Sequence, residues 1–296
     1  MVRSTILILL GISLWTPTSI GAEFRFSRAV ALPTIMFEGH NARIHTQGLF
    51  ATADHWIVTG RLENTPKRPL LIRISRTDPA RYEVIDLLPR LVGGGSRKSL
   101  DHPGGFDRDT SGAFWIPVST SDRRGPTVIL GIKLDADASL ANGIEVVRSF
   151  EIDDHVGALC CVSKSELLAA NWDTKKVYRI SSATGKIVSE ETWQSLVESK
   201  LELAVQDWKF DRKRELVIAG GIDKSPGVDD KDQAVIAAID LKARSIKINR
   251  LPPRAEVSRP LTNEGLALDG NTVHLLPEDF GAGAQILEFE RGNPAQ

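Results

Sequence analysis

Five short motifs recur down this chain at nearly even intervals, each setting a polar residue just before an apolar, strand-forming stretch. They read His45-Thr46-Gln47-Gly48-Leu49, His102-Pro103-Gly104-Gly105-Phe106, His155-Val156-Gly157-Ala158-Leu159, Gln206-Asp207-Trp208-Lys209-Phe210 and Glu264-Gly265-Leu266-Ala267-Leu268. Aligned on the apolar fifth position, the leaders are His45, His102, His155, Gln206 and Glu264, separated by 57, 53, 51 and 58 residues. A repeat of that length means one supersecondary unit stacked or arranged in a ring.

Between motifs the content repeats as well. The first unit continues through Trp56-Ile57-Val58-Thr59-Gly60, Leu70-Leu71-Ile72-Arg73-Ile74 and Tyr82-Glu83-Val84-Ile85-Asp86, and the second, third and fourth units follow suit. These are β-branched or alternating runs punctuated by Gly, Asp, Asn and Pro. Four strands per unit is the sequence form of a β-propeller blade. The fifth unit holds only three, ending at Gln285–Phe289, so the stretch Phe24–Val30 is expected to supply its outer strand and close the ring. Closure removes two open sheet edges. The expected fold is all-β, a single propeller over residues 23–296 with five four-stranded blades. A six-bladed ring with one decayed motif is the alternative.

The first 22 residues read differently. Arg3 precedes an apolar run from Ile6 to Trp15, followed by Pro17 and the small pair Gly21-Ala22, the layout of a secretory signal peptide. The mature chain is expected to start near Glu23 and to be secreted or periplasmic, without stable membrane insertion; an uncleaved anchor is the alternative. Lys+Arg 37 against Asp+Glu 38 leaves a net charge of -1 and no basic stripe, which argues against nucleic acid as a partner. The two cysteines, Cys160 and Cys161, are neighbours. A bond between adjacent residues strains the ring it closes, so they read as small apolar residues of a buried strand, with a vicinal disulfide as the alternative.

In a propeller the first strand of every blade lines the central channel, and all run the same way. The five leaders are therefore expected around one channel mouth. The second strands run back and end there too, adding Arg61 and Glu63, Asn171-Trp172-Asp173 and Glu278-Asp279. Three imidazoles and a carboxylate suit a divalent transition metal, so His45, His102, His155 and Glu264 are the candidate ligands. Asp154, Asp207 or Asn263 would orient them. Glu278, Asp279, Asp173 and Asp207 are the candidate acids and bases, and Arg61, Gln47, Asn171, Gln206 and Trp172 the candidate substrate contacts. The plainer readings are histidines bonded to carbonyls or water, carboxylates that cap strand ends, and Trp115, Trp172 and Trp208 packed between blades. Residues 189–201 have helical spacing and are expected to form a short helix on that rim. Asp223–Asp232 reads as a solvated loop, without calcium-ligand spacing. No Gly-x-Ser-x-Gly elbow is present, and Gly93-Gly94-Gly95 reads as linker rather than as a phosphate cradle.

Taken together, His45–Leu49, His102–Phe106, Asp154–Ala158, Asn171–Asp173, Gln206–Lys209, Asn263–Ala267 and Leu276–Asp279 resemble a family of exported bacterial and fungal proteins whose function is unassigned. The resemblance spans nearly all of the mature chain and implies no activity. Asn263-Glu264-Gly265-Leu266-Ala267 is also similar to the glutamate-bearing strand of gluconolactonase and strictosidine synthase-like propellers and of esterase-like phytase propellers. The former bind a divalent cation at the channel mouth through carboxylate and Asn ligands. Histidines at three leader positions depart from that pattern, which leaves the calcium preference and the lactonase reaction open. The expected function is a hydrolase or lyase acting on a small polar or carbohydrate-derived substrate; a non-catalytic ligand-binding propeller is the alternative, and a structural scaffold the third reading.

Overall fold

The computed structural model describes residues 24–91, 100–228, 233–281 and 283–292. The signal-peptide reading, the Gly93-Gly94-Gly95 linker and Asp229–Asp232 lie outside the described residues. Five four-membered antiparallel sheets follow one another as blades. Blade 1 comprises Ile44–Ala51, His55–Leu62, Arg68–Ser75 and Tyr82–Asp86. In blade 2 the inner strand is split into Leu100–Pro103 and Asp107–Arg108, backed by Phe114–Thr120, Thr127–Leu134 and Ile144–Ile152. Val156–Cys161, Glu166–Asn171, Lys176–Ser181 and Ile187–Thr192 make blade 3. Blade 4 contains Leu203–Asp211, Leu216–Asp223, Ala234–Asp240 and Ser245–Arg250.

Blade 5 has Gly265–Asp269, Thr272–Leu276 and Gln285–Arg291 from the C-terminal end, and Phe24–Ala31 as its outer strand. The pairing runs from Phe24 opposite Arg291 to Ala31 opposite Gln285, so the ring is five-bladed and closed by the chain's early strand. From there a Met36–Phe37/His40–Asn41 hairpin leads into blade 1. Its turn residues Glu38 and Gly39 both have positive φ, 50° and 81°, as the tightest hairpin turns require.

Apolar residues sort into five clusters, each between two neighbouring blades. This follows from strand alternation: successive side chains point to opposite faces of a blade, and each face meets the next blade. Trp56 fills the seam between blades 1 and 5, Trp115 that between 2 and 3, and Trp208 that between 3 and 4. Cys160 and Cys161 are free, buried thiols placed by the same alternation in different seams. Burial pushes both thiols well above the ordinary range.

The motif glycines bring the inner strands into direct contact. A Cβ on Gly104 would stand 2.3 Å from the carbonyl oxygen of Gly157, and one on Gly105 would stand 2.5 Å from Asp207 Oδ1. Gly105 donates to the Gly157 carbonyl, and its own carbonyl accepts from Leu159 N, both at 2.9 Å. Below the mouth, then, backbone closes on backbone.

Each inner strand of blades 1, 3 and 4 carries a one-residue bulge, at Gln47, Gly157 and Gln206. The register of blade 2 shifts by one across its Gly-Gly-Phe segment. These bulges correct the alignment of the motifs. Gln206 matches Gln47 and Gly157, and Ala204 stands where blades 1 and 3 have His45 and His155. Glu264 likewise matches Gln47, because Leu49 and Leu266, two residues on in each strand, both donate to Asp207. Instead of one ring of five leaders there are two tiers: His45, His102 and His155 at the rim, with Gln47, Gln206 and Glu264 one step down the channel.

The expected helix over 189–201 is shorter, Trp193–Val197, because residues 187–192 pair with 176–180 as blade 3's outer strand. Thr192 caps it, its side chain accepting from Ser195 N.

Candidate functional site

The channel mouth brings together titratable side chains from blades 1 and 5. The His45 imidazole Nδ1 lies 2.7 Å from Asp279 Oδ1 and 3.9 Å from Glu264 Oε1. Phe280 N donates to the Ile44 carbonyl, which fixes the end of the blade 5 second strand beside the start of the blade 1 inner strand. Thr46 completes the seam, its amide donating to Asp279 Oδ1 at 3.2 Å and its hydroxyl to the Glu278 carbonyl at 3.0 Å. Glu264 is 4 % exposed and accepts from Asn263 Nδ2 at 2.5 Å and from Gln47 Nε2 at 3.3 Å. Arg259 spans both carboxyl groups, donating to Glu264 Oε1 at 3.3 Å and to Asp279 Oδ2 at 3.2 Å.

The environments drive these two carboxyl groups apart. Burial, reinforced by the charge of Asp279, raises Glu264 well above the ordinary carboxylate range. For Asp279 burial also pushes upward, but the hydrogen bond from His45 and the charge of Arg259 prevail and hold it low. Burial thus favours the proton on Glu264, while its partners favour the charge on Asp279. Because a carboxylate can only accept, His45 donates to Asp279 through Nδ1, and the tautomer that matches this bond has its lone pair on Nε2.

Blades 2 and 3 fill the other side of the rim. Arg61 donates through Nε to Glu63 at 2.6 Å and through Nη1 to His102 Nδ1 at 2.9 Å. A guanidinium can only donate, so His102 accepts on Nδ1 and carries its proton on Nε2. Burial first, then the charge of Arg61, pull His102 down to about 2, so it is neutral at physiological pH. For His155 the assignment reverses: Nδ1 donates to the Asp122 carbonyl at 2.9 Å, leaving the lone pair on Nε2. Burial lowers its pKa too. Both Nε2 atoms are buried without a hydrogen-bond partner. Trp172 rests edge-on against His155 and His102, ring centroids 4.8 and 5.4 Å away, with Arg123 over its ring at 5.1 Å.

Among the described residues, one group of three has the convergence a metal ion needs: His45, Glu264 and Asp279, whose ligand atoms lie within 4.8 Å of one another. This differs from the expected set of His45, His102, His155 and Glu264. Asp279 takes part, while His102 and His155 fall outside it. With Arg61 donating to Nδ1, His102 has no free lone pair to give a metal.

Three other candidates have structural partners. Asp207, expected at the mouth, is fully buried on the axis, where its oxygens accept from Leu49 N and Leu266 N, both at 3.0 Å, and from Lys209. Asp173 pairs with Lys175 at 2.9 Å in the exposed turn after blade 3's second strand, where Asn171 Oδ1 accepts from Lys176 N. The carboxylate of Glu278 accepts from the amide and hydroxyl of Ser258, both at 2.7 Å, and so anchors the loop that carries Arg259. Gln206 is half-buried and makes one long contact, 3.4 Å to the Ala204 carbonyl. Asp154 accepts from Tyr178 Oη and from the amide of His155, so it does not orient the imidazole.

Arg259 is the residue that reading the sequence missed. Its signal was a basic residue five positions before the motif glutamate, inside a Pro-containing connection with no periodicity. An open groove of about 930 Å³ lies elsewhere, lined by Asp54, His55, Arg73, Arg81 and Tyr82, and includes none of the motif residues. Its most buried cation, Arg73, is tied to Glu83 and to the Asp135 and Ala138 carbonyls, so it is part of the wall.

No protein-family model matches the chain, and no curated protein matches it in sequence. Its fold is similar to that of Myxococcus xanthus glutaminyl cyclase, at 12% identity over 91% of this chain and 97% of that one, with a TM-score of 0.55. Looser likenesses include a PQQ-bound aldose sugar dehydrogenase from Streptomyces coelicolor, at 10% identity over 90% of this chain and 98% of that one (TM-score 0.48). Virginiamycin B lyase from Staphylococcus aureus is another, at 12% identity over 90% and 99% (TM-score 0.46). The likeness to the glutaminyl cyclase agrees with the fold alone, and propellers host many unrelated functions.

Proposed function

We propose that this propeller is an enzyme that performs acid–base chemistry, a hydrolysis or an elimination, on a small polar or carbohydrate-derived ligand at the channel mouth. One observation carries the reading: the His45–Asp279 hydrogen bond lies beside Glu264, a buried carboxyl group whose surroundings favour its protonated form. Titratable neighbours whose environments drive them apart are how one site holds an acid and a base at the same pH. Asp279 orients His45, and His45 Nε2 is the base. Glu264 is the acid.

In a hydrolysis, His45 Nε2 takes a proton from water as the oxygen attacks, and Glu264 gives its proton to the leaving atom. In an elimination the proton comes from carbon, and Glu264 protonates the departing oxygen. Either way His45 ends protonated and Glu264 ionised, and return of that proton to Glu264 resets the pair. Gln47 positions Glu264, while Arg61, Trp172 and Gln206 form the surrounding wall that meets the ligand. The apolar run before residue 23 supports export to the periplasm or medium, with residues 23–296 as the working domain.

A metal-assisted version is the second reading, favoured by the convergence of His45, Glu264 and Asp279. One imidazole and two carboxylates fit a divalent transition metal. Bound there, the ion would polarise a carbonyl or acidify a water, with His45 ligating through the Nδ1 that now donates to Asp279.

The test is a turnover screen of the untagged chain against lactones, aryl esters and uronate-containing oligosaccharides, run beside His45→Ala and Glu264→Gln. Turnover that both substitutions abolish supports the acid–base reading. Turnover that neither alters would overturn it. Activity lost on chelation and regained with added metal would move the conclusion to the second reading.

A further inference from the structure

We infer that Arg259 stands in for a divalent cation at the channel mouth, so that this one side chain decides whether the site takes a metal. The inference concerns occupancy and holds whichever reaction the site performs. His45, Glu264 and Asp279 converge as a ligand set would. Two carboxyl groups held that close, one of them almost wholly buried, require a positive partner or a shared proton. Arg259 supplies the positive partner already, one nitrogen on each carboxyl group. The oxygens it engages, Glu264 Oε1 and Asp279 Oδ2, belong to the same two carboxyl groups an ion would use.

The loop presents this guanidinium from a fixed point. Ser258, the residue before it, is held by both of its hydrogen bonds to Glu278, and Pro260 follows with its restricted backbone. Asn263 donates to the same Glu264 oxygen and helps hold it in place. The Arg259 side chain is still 42% exposed, so it can leave without unpacking a seam. A planar fork donating to two carboxyl groups competes directly with an ion for their oxygen lone pairs. Metal-assisted chemistry would therefore need Arg259 withdrawn, whereas the acid–base reading works with it in place.

The experiment measures metal, independent of activity. Full-length untagged protein, Arg259→Gln, Arg259→Lys and the control Arg254→Gln, a half-buried arginine of the same connection paired with Glu256, are dialysed against zinc or manganese. Bound metal is then counted by mass spectrometry, and affinity is taken by calorimetry. Arg259→Gln is expected to hold one ion at least about tenfold tighter than the parent, a difference of about 1.4 kcal/mol. Arg259→Lys and Arg254→Gln are expected to behave as the parent does. Adding Asp279→Asn to Arg259→Gln should abolish the gain, which locates the ion. Circular dichroism confirms that each variant is folded. A parent that binds metal as tightly as Arg259→Gln overturns the inference, as does a folded Arg259→Gln that binds none.

Discussion

Two clusters of buried charge lie along the axis of this propeller, and they differ in one respect. Below the mouth, Asp207 of blade 4 accepts from the backbone of blades 1 and 5, while Asp107 of blade 2 accepts from Cys161 N of blade 3 and Phe210 N of blade 4. Lys209, 2 % exposed, pairs with Asp207. Two carboxylates thus connect all five inner strands. At the mouth the polar groups are less evenly matched: two buried imidazole nitrogens lack partners, and burial raises Glu264 while its partners hold Asp279 low. Buried polar groups that are fully satisfied hold a structure together; those left partly unsatisfied are where a ligand makes a difference.

The strongest test of this contrast is chemical. His45→Ala and Glu264→Gln are each expected to lower turnover about 10²–10⁴-fold with folding retained, the usual contribution of a positioned acid or base. Steady-state kinetics on whichever substrate the screen identifies would measure it. The matching change on the axis should do the opposite. Asp207→Ala leaves Lys209 buried without its partner and is expected to cost about 3–5 kcal/mol of stability, read as a lower urea midpoint.

A subtler effect separates the clusters by pH. The folded chain holds the Glu264 proton to a higher pH than the unfolded chain does, so this residue's contribution to stability is lost as pH rises from the ordinary carboxylate range through the folded value. Glu264→Gln removes that loss. The variant is expected to unfold at higher urea than the parent at neutral pH and to converge with it in acid. The smallest effect is expected at Asp173. Its partner Lys175 is an exposed turn neighbour, and Asp173→Asn should leave both turnover and the urea midpoint unchanged.

Much of the architecture was legible because four of the five inner strands repeat a register shift beside a close backbone approach, and Gln47-Gly48 and Gly104-Gly105 mark them in the sequence. The three-stranded last unit announced its missing partner, and Phe24–Ala31 supplied it. The site was legible only in part. His45, Glu264 and Asp279 were each singled out and do come together, yet the fourth and fifth motifs were read two residues out of register. A two-residue slip in a strand preserves which face is inward, so apolar patterning cannot detect it. That slip is why Asp207 looked like a mouth residue. The tautomers of His102 and His155 depend on Arg61 and on the Asp122 carbonyl, contacts made across tens of residues, and no local spacing encodes them. Arg259 arrives from an aperiodic loop.

Pairing Phe24–Ala31 with Gln285–Arg291 also dictates when the molecule can become whole. Strands within blades 1 to 4 meet neighbours a few residues away, whereas Arg25 meets Glu290 across 265 residues of chain. Bringing ends that far apart together costs on the order of 5 kcal/mol in chain entropy, before any contact offsets it. Such long-range pairings are the slow ones. A growing or truncated chain that lacks the last strand keeps an open edge on its final blade and has nothing for Phe24–Ala31 to pair with. The rim that gathers His45 from blade 1 and Glu264 and Asp279 from blade 5 straddles that same join. Its chemistry can therefore assemble only in the last folding event.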